Sequence, residues 1–203
     1  MNTEHLDVFR AFRVFRASVV NSRSVVAMKS PNLGIFTLAL LSFLAAPLAG
    51  QTRAAATGPV APFSMLLGRW EGPATIDMGP RGTLRLTQRE WVHTASGGTV
   101  IAVTGQGTDS AGRVVFDAFA VIYPGRDGKP AIRAHRMDGQ WVDPVVVLGE
   151  NGFTWSFPDP RAGQVRYTFR LTPAGEWHEI GERSTDGQAW VPFMEMTLRR
   201  IGD

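Results

Sequence analysis

Between Gly112 and Gly187 a glycine recurs at the end of a short turn-forming group, in "SAG", "RDG", "MDG", "ENG", "RAG", "PAG" and "TDG", at intervals of 11 to 16 residues. Asp-Gly and Asn-Gly accept the positive φ that tight hairpins demand, and strands at this spacing belong to sandwiches or barrels. "PFSMLL" (62–67) suggests one helical turn, and after it helix-like periodicity is absent. The runs between the turns alternate instead. "FTWSF" (153–157) sets aromatics against small polar residues, and "VRYTFRL" (165–171) sets Val, Tyr, Phe and Leu against Arg, Thr and Arg. Period two puts one set on a buried face and the other in water.

About ten strands are predicted, near 69–76, 82–94, 98–108, 113–123, 131–137, 141–148, 152–157, 164–171, 176–184 and 190–200. Pro144 and Pro192 are expected at edges, bulges or strand starts, because proline cannot donate to a ladder. The expected fold class is all-β: an antiparallel meander closing into a barrel of about 8–10 strands, since closure removes exposed edges.

The N-terminal quarter reads differently. Residues 33–49, "LGIFTLALLSFLAAPLA", are apolar except for Thr37 and Ser42, follow a short way after Lys29, and run into small residues. That order describes a secretory signal peptide. A membrane anchor is the competing reading, since about 17 apolar residues just span a bilayer; Pro47 and the small residues fit a cleavage region better. Residues 1–56 are therefore assigned to a signal peptide, with "FRAFRVFR" (9–16) making an over-long leader and Met28 the expected true start. Cleavage is expected after Gly50 or after Ala56. "LAGQ" resembles a lipoprotein processing site, but Gln51 stands where the lipidated Cys would be.

Removal of 1–56 leaves 15 basic and 16 acidic residues in 57–203, a net charge of −1. The basic pI of the whole chain, about 9.9, thus belongs largely to the leader and argues against a nucleic-acid partner. With no Cys, disulfides, thiolate metal sites and Cys nucleophiles are excluded together. Residues 57–203 suffice for one domain with a real core. The expected location is periplasmic or secreted, with no stable membrane anchor after cleavage.

"GRW" (Gly68, Arg69, Trp70) opening the first strand, a β meander after it, and "TLRR" (Arg199, Arg200) on the last strand resemble the lipocalin and calycin superfamily. The resemblance implies a glycine that lets the chain turn under the barrel, a tryptophan that plugs its closed end, and an arginine packed over the indole. More specifically, 62–201 resembles a family of secreted bacterial lipocalin-like proteins without assigned function, which implies the fold and no chemistry. The related nitrobindin-type barrels bind haem through a late-strand His; "FMEMTLRR" (193–200) has none, so no cofactor is expected. "STDGQAW" (184–190) falls one residue short of the Asp-box of sialidase propellers and occurs once. No cupin-type H-x-H followed by Glu exists.

His93, His135 and His178 lie on different predicted strands at no metal-ligand spacing, and no metal is expected. In "AIRAHRM" (131–137), Arg133 and His135 share one face with Met137, while Ile132, Ala134 and Arg136 share the other. Each face carries an arginine, so period two does not choose the inward one. With the first inward, Arg133 and His135 make an anion or carbonyl site; with the second, Ile132 and Ala134 join the core. Glu176, Glu179, Glu182 and Glu195 cluster late, either as a solvated outer face or as carboxylates doing acid–base work inside. Trp155 and Tyr167 stand among the aromatics expected to form the interior. The candidate ligand-binding set is Arg133, His135, Trp155, Tyr167 and Glu195. The expected partner is a small apolar or amphipathic molecule, since a barrel of this strand number leaves room for one. The alternative is a cofactor-free cyclase, isomerase or hydrolase using the same cavity.

Overall fold

The computed structural model describes residues 54–203, and the expectations for the leader, its Met28 start and its apolar segment fall outside the described residues. A 3₁₀ helix, Gly58–Leu66, follows Thr57 and leads into eleven strands. β1 (Gly68–Asp77), β2 (Thr83–Ala95), β3 (Val100–Thr108) and β4 (Val114–Pro124) form the first half with β5 (Pro130–Arg136) and β6 (Trp141–Val142). β7 (Val145–Gly149), β8 (Gly152–Asp159), β9 (Gly163–Leu171), β10 (Trp177–Ser184) and β11 (Val191–Gly202) form the second.

All eleven belong to one antiparallel sheet in the order β6-β5-β4-β3-β2-β1-β11-β10-β9-β8-β7, curled into a half-barrel. Hairpins join every neighbouring pair except β1 and β11, where the first strand zips against the last. The turn glycines work as their spacing requires: Gly112, Gly128, Gly139, Gly163, Gly175 and Gly187 all adopt positive φ. Gly152 does not, and it is needed for another reason, since a Cβ there would collide with the Phe169 carbonyl.

One predicted strand, 141–148, is two. Pro144 cannot donate to a ladder, and it divides the run into β6 and β7, which become the two opposite edges of the sheet. The sheet is therefore not sealed by hydrogen bonds along its seam. Only Asp143 and Pro144 separate those edges in sequence, however, and three peptide steps span at most about 11 Å, so the chain itself draws them together.

The 3₁₀ helix closes one end of the curl. Val60, Phe63 and Leu66 on it are fully buried, with Trp70, Phe169, Leu198, Ile101 and Ile122 around them. Trp70 is 1% exposed. Its indole N–H donates to the Leu66 carbonyl at 2.8 Å, its ring meets Trp177 edge-on at 5.8 Å, and the Arg200 guanidinium lies over it at 4.3 Å. The flanking glycines are set by this crowding. Gly68 has φ +121°, and a side chain there would strike the Arg200 guanidinium; one on Gly72 would strike the Thr197 carbonyl.

Arg199 and Arg200 part company because adjacent strand residues face opposite ways. Arg200 turns to the plug and donates to the Leu67 carbonyl and, at 3.4 Å, to that of Met65. Arg199 turns to solvent and pairs with Glu176 at 2.9 Å. Arg200→Met is expected to lower stability by about 1–2 kcal/mol, the range of a packed cation–π contact with its hydrogen bonds. Arg199→Met should stay within about 0.5 kcal/mol of wild type in urea denaturation.

Candidate functional site

Inside the curl, above the plug, lies a cavity of about 340 Å³. Period two sorts its walls. β2 turns Leu86, Gln88 and Glu90 inward and Arg85, Arg89 and Trp91 outward; β5 turns Ile132, Ala134 and Arg136 inward. β8, β9 and β10 contribute Trp155, Tyr167, Trp177 and Glu179. Alanines at 74, 118, 120 and 134 keep the space open. Most of the wall is apolar or aromatic, and Tyr167 stacks on Trp155 with ring centres 4.2 Å apart.

Two carboxyl groups interrupt that wall. Glu90, 8% exposed, faces Gly105 across the β2–β3 ladder, and a Cβ on Gly105 would sit 2.6 Å from Glu90 Oε1. The missing side chain is what makes room for the carboxyl. Gln88 Nε2 donates to Glu90 Oε1 at 2.7 Å. Burial, reinforced by the charge of Glu179, pushes the Glu90 carboxyl up to about 8, despite the opposing Gln88 bond. Glu179 is held by two indoles: Trp177 Nε1 donates to Oε2 at 2.9 Å and Trp155 Nε1 to Oε1 at 3.2 Å. Burial raises its pKa as well, and the indole bonds partly offset the shift. Desolvation dominates in both cases because a charged carboxylate loses far more hydration than a neutral one. The Tyr167 phenol is raised too, by burial and then by Glu179.

Arg136 is the cation among the lining residues, and it is already matched. Asp138 Oδ2 accepts from its Nη2 at 2.7 Å, and Gln140 Oε1 accepts from the same nitrogen at 3.2 Å. These partners come from the turn that follows β5, and the Arg136 side chain is 42% exposed there, so its charge meets both a carboxylate and water at the end of the strand.

Of the residues singled out in the sequence, Trp155 and Tyr167 line the cavity. Arg133, His135 and Glu195 do not, and for these three the expected placement is corrected. Arg133 lies on the outer face with its side chain 41% exposed, bonded through two nitrogens to Asp143 at 2.7 and 2.6 Å and stacked over Trp141 at 4.2 Å. Asp143 and the Trp141 face hold its charge on that side. His135 shares this face, in register with Phe119 and Trp141. Glu195, 62% exposed, accepts from or bonds to His178 Nε2 at 3.1 Å on the outside of β11. Gly68, Trp70 and Arg200 meet at the plugged end, and Arg199 stands apart from them. Among the described residues no group of His, Cys, Asp and Glu has the arrangement of a metal site.

Glu90, Gln88 and Arg136 were not selected from the sequence, and Glu179 was left between two readings. The signal was present in β2, where "LRLTQREWV" gives Gln88 and Glu90 the parity of Leu84, Leu86 and Val92. "TGQGT" (104–108) then sets Gly105 and Gly107 opposite them.

The chain matches no protein-family model, and no curated protein is similar to it in sequence. Among solved structures, it is similar in fold to the crystal structure of Rv2717c from M. tuberculosis, with a TM-score of 0.54 and 14% sequence identity. The match covers 71% of this chain and 98% of that one. At this identity the likeness concerns the β-rich, half-barrel fold.

Proposed function

We propose that this is a lipocalin-like protein of the calycin type, periplasmic or secreted, which holds a small, largely apolar molecule inside its barrel. The cavity carries the reading: about 340 Å³ of space walled by apolar and aromatic side chains, with a few convergent polar groups. That combination is the usual form of a small-molecule site. The N-terminal contacts bear on export. Thr94 Oγ1 donates to the Ala54 carbonyl at 2.6 Å, and Thr57 N donates to Gly98 O at 2.9 Å. Cleavage after Gly50 would keep the Ala54 contact in the mature protein, and cleavage after Ala56 would remove it, so the earlier site is the one proposed.

Binding is tested with Nile red, an uncharged dye whose emission rises in apolar surroundings. Ala120→Phe projects a ring into the cavity from the inner face of β4. It should weaken dye binding at least about tenfold, with a stability change below the 1–3 kcal/mol typical of overpacking, because the ring enters existing space. Equal dye binding by both proteins would place the dye, and the reading, outside the barrel.

A second reading, a cofactor-free enzyme, is favoured by one observation. A carboxyl with a pKa of about 8 is protonated near neutrality and suits a general acid. Native mass spectrometry of gently purified protein separates the two readings: a binding protein returns its retained molecule unchanged after prolonged incubation, whereas an enzyme converts it.

A further inference from the structure

Resting on the reading of the cavity as a ligand site, we propose that its ligand is an organic monocation: an apolar or aromatic body carrying one protonated amine, seated between Glu90 and Glu179. The inventory of hydrogen-bonding atoms points there. Glu90 Oε1 receives Gln88, while Glu90 Oε2 has no hydrogen-bond partner among the described residues, although the side chain is almost wholly buried and lines the cavity. Each oxygen of Glu179 receives one indole N–H and retains accepting capacity. Acceptors thus converge on the void, and an ammonium supplies three donors.

Charge points the same way. The titratable groups lining the cavity are Glu90 from β2, Glu179 from β10, Tyr167 from β9 and Arg136 from β5. The strands paired to β2 set Trp70 and Gly105 against Glu90, and those paired to β10 set Phe169 and Met196 against Glu179; the nearest cationic influence on Glu179 is His178, which is bonded to Glu195 on the outer face and only partly offsets the effect of burial. Arg136 is occupied by Asp138 and Gln140. Two buried carboxyls whose hydrogen-bond donors are a neutral amide and two neutral indoles are costly to ionise, and a bound ammonium offsets that cost. The surrounding faces of Trp155, Trp177 and Tyr167 favour a cation further. An anionic ligand meets the opposite field.

Occupation by a cation has a proton signature. Burial and mutual repulsion hold Glu90 protonated in the empty site at neutral pH; the ammonium draws it into the ionised form, and the proton leaves to solvent. Affinity for an amine should therefore rise with pH toward 8 and fall again only when the amine itself loses its proton.

The test compares 2-(1-naphthyl)ethylamine, the neutral 2-(1-naphthyl)ethanol and the anionic 1-naphthylacetate by calorimetry on the whole protein, with Nile red run in parallel. The amine should bind about ten- to a hundredfold more tightly than the alcohol, the span of a charge-assisted hydrogen bond, and the acetate most weakly. At pH 7 the amine's heat should vary with the ionisation enthalpy of the buffer, reporting proton release. Glu90→Gln, which retains the bond to Gln88, should bring amine and alcohol to near equality while Nile red still binds. Glu179→Gln serves as the independent second variant. Nile red bound with no preference for the amine overturns this proposal and leaves the cavity reading standing. Failure of Nile red and all three naphthyl probes overturns both.

Discussion

Trp70→Ala is expected to lower the unfolding free energy by about 3–5 kcal/mol, the range for deleting a large aromatic from a packed core. The indole is 1% exposed and is the piece on which the closed end converges: Leu66 through its carbonyl, Trp177 through a ring edge, Arg200 through its guanidinium. Deletion leaves a void among side chains that cannot collapse into it, because Gly68 and Gly72 fix the β1 backbone against Arg200 and Thr197. It also strips a donor from the Leu66 carbonyl, and an unmet buried acceptor adds about 1–3 kcal/mol on its own. Trp141→Ala is the control. That ring is 53% exposed on edge strand β6, and its loss should cost well under half as much. Urea denaturation of the two variants checks the contrast, and similar losses for both would contradict the plug.

The second large effect is a gain. Glu90→Gln should make the protein more stable than wild type at alkaline pH, by on the order of 5 kcal/mol, and close to equal to it near pH 4. The carboxyl's pKa rises from 4.5 in the exposed chain to about 8 when buried, and each unit corresponds to about 1.4 kcal/mol. Below about pH 4.5 both states hold the proton and the shift has no effect. Between there and pH 8 the unfolded chain releases a proton that the folded chain retains, so stability falls as pH rises. Above pH 8 the full penalty is present. Glutamine is neutral throughout, preserves the contact with Gln88 and removes that slope. Denaturation curves for both proteins from pH 4 to 9 measure it directly. Parallel pH profiles would mean that Glu90 is hydrated rather than sealed in an apolar wall.

The same residue separates what was legible beforehand from what was not. Nearly every strand had its signature, β6 and β7 being read as one, because turn glycines and two-residue alternation are local properties written into neighbouring positions. The edges of "VRYTFRL" and "FTWSF" fell within two residues of β9 and β8, and Trp155 and Tyr167 shared parity with unmistakable core residues. Strand 131–137 was harder, since Arg133 and Arg136 offer each face a guanidinium. The choice was made by partners elsewhere: Asp143 and Trp141 outside for Arg133, Asp138 and Gln140 at the turn for Arg136. Pro144 was recognisable as a break, but not as the point where the sheet's two edges meet.

The sequence alone therefore determined the class of fold, the position of nearly every hairpin and the tryptophan around which one end closes, since these depend on backbone propensities and on periodicity within single strands. Only the tertiary structure decided the character of the interior. Period two tells which residues share a face; it does not tell which polar residues will be buried, because that depends on what stands across the ladder and across the curl. Gly105 opens the space that admits Glu90, two indoles from β8 and β10 hold Glu179, and Asp138 keeps Arg136 neutralised. Period two leaves open which face of strand 131–137 turns inward and whether the late glutamates lie inside; the structure turns Ile132, Ala134 and Arg136 inward and buries Glu90 and Glu179, because burial of a charge is settled by its partners in space and not by its neighbours in the chain.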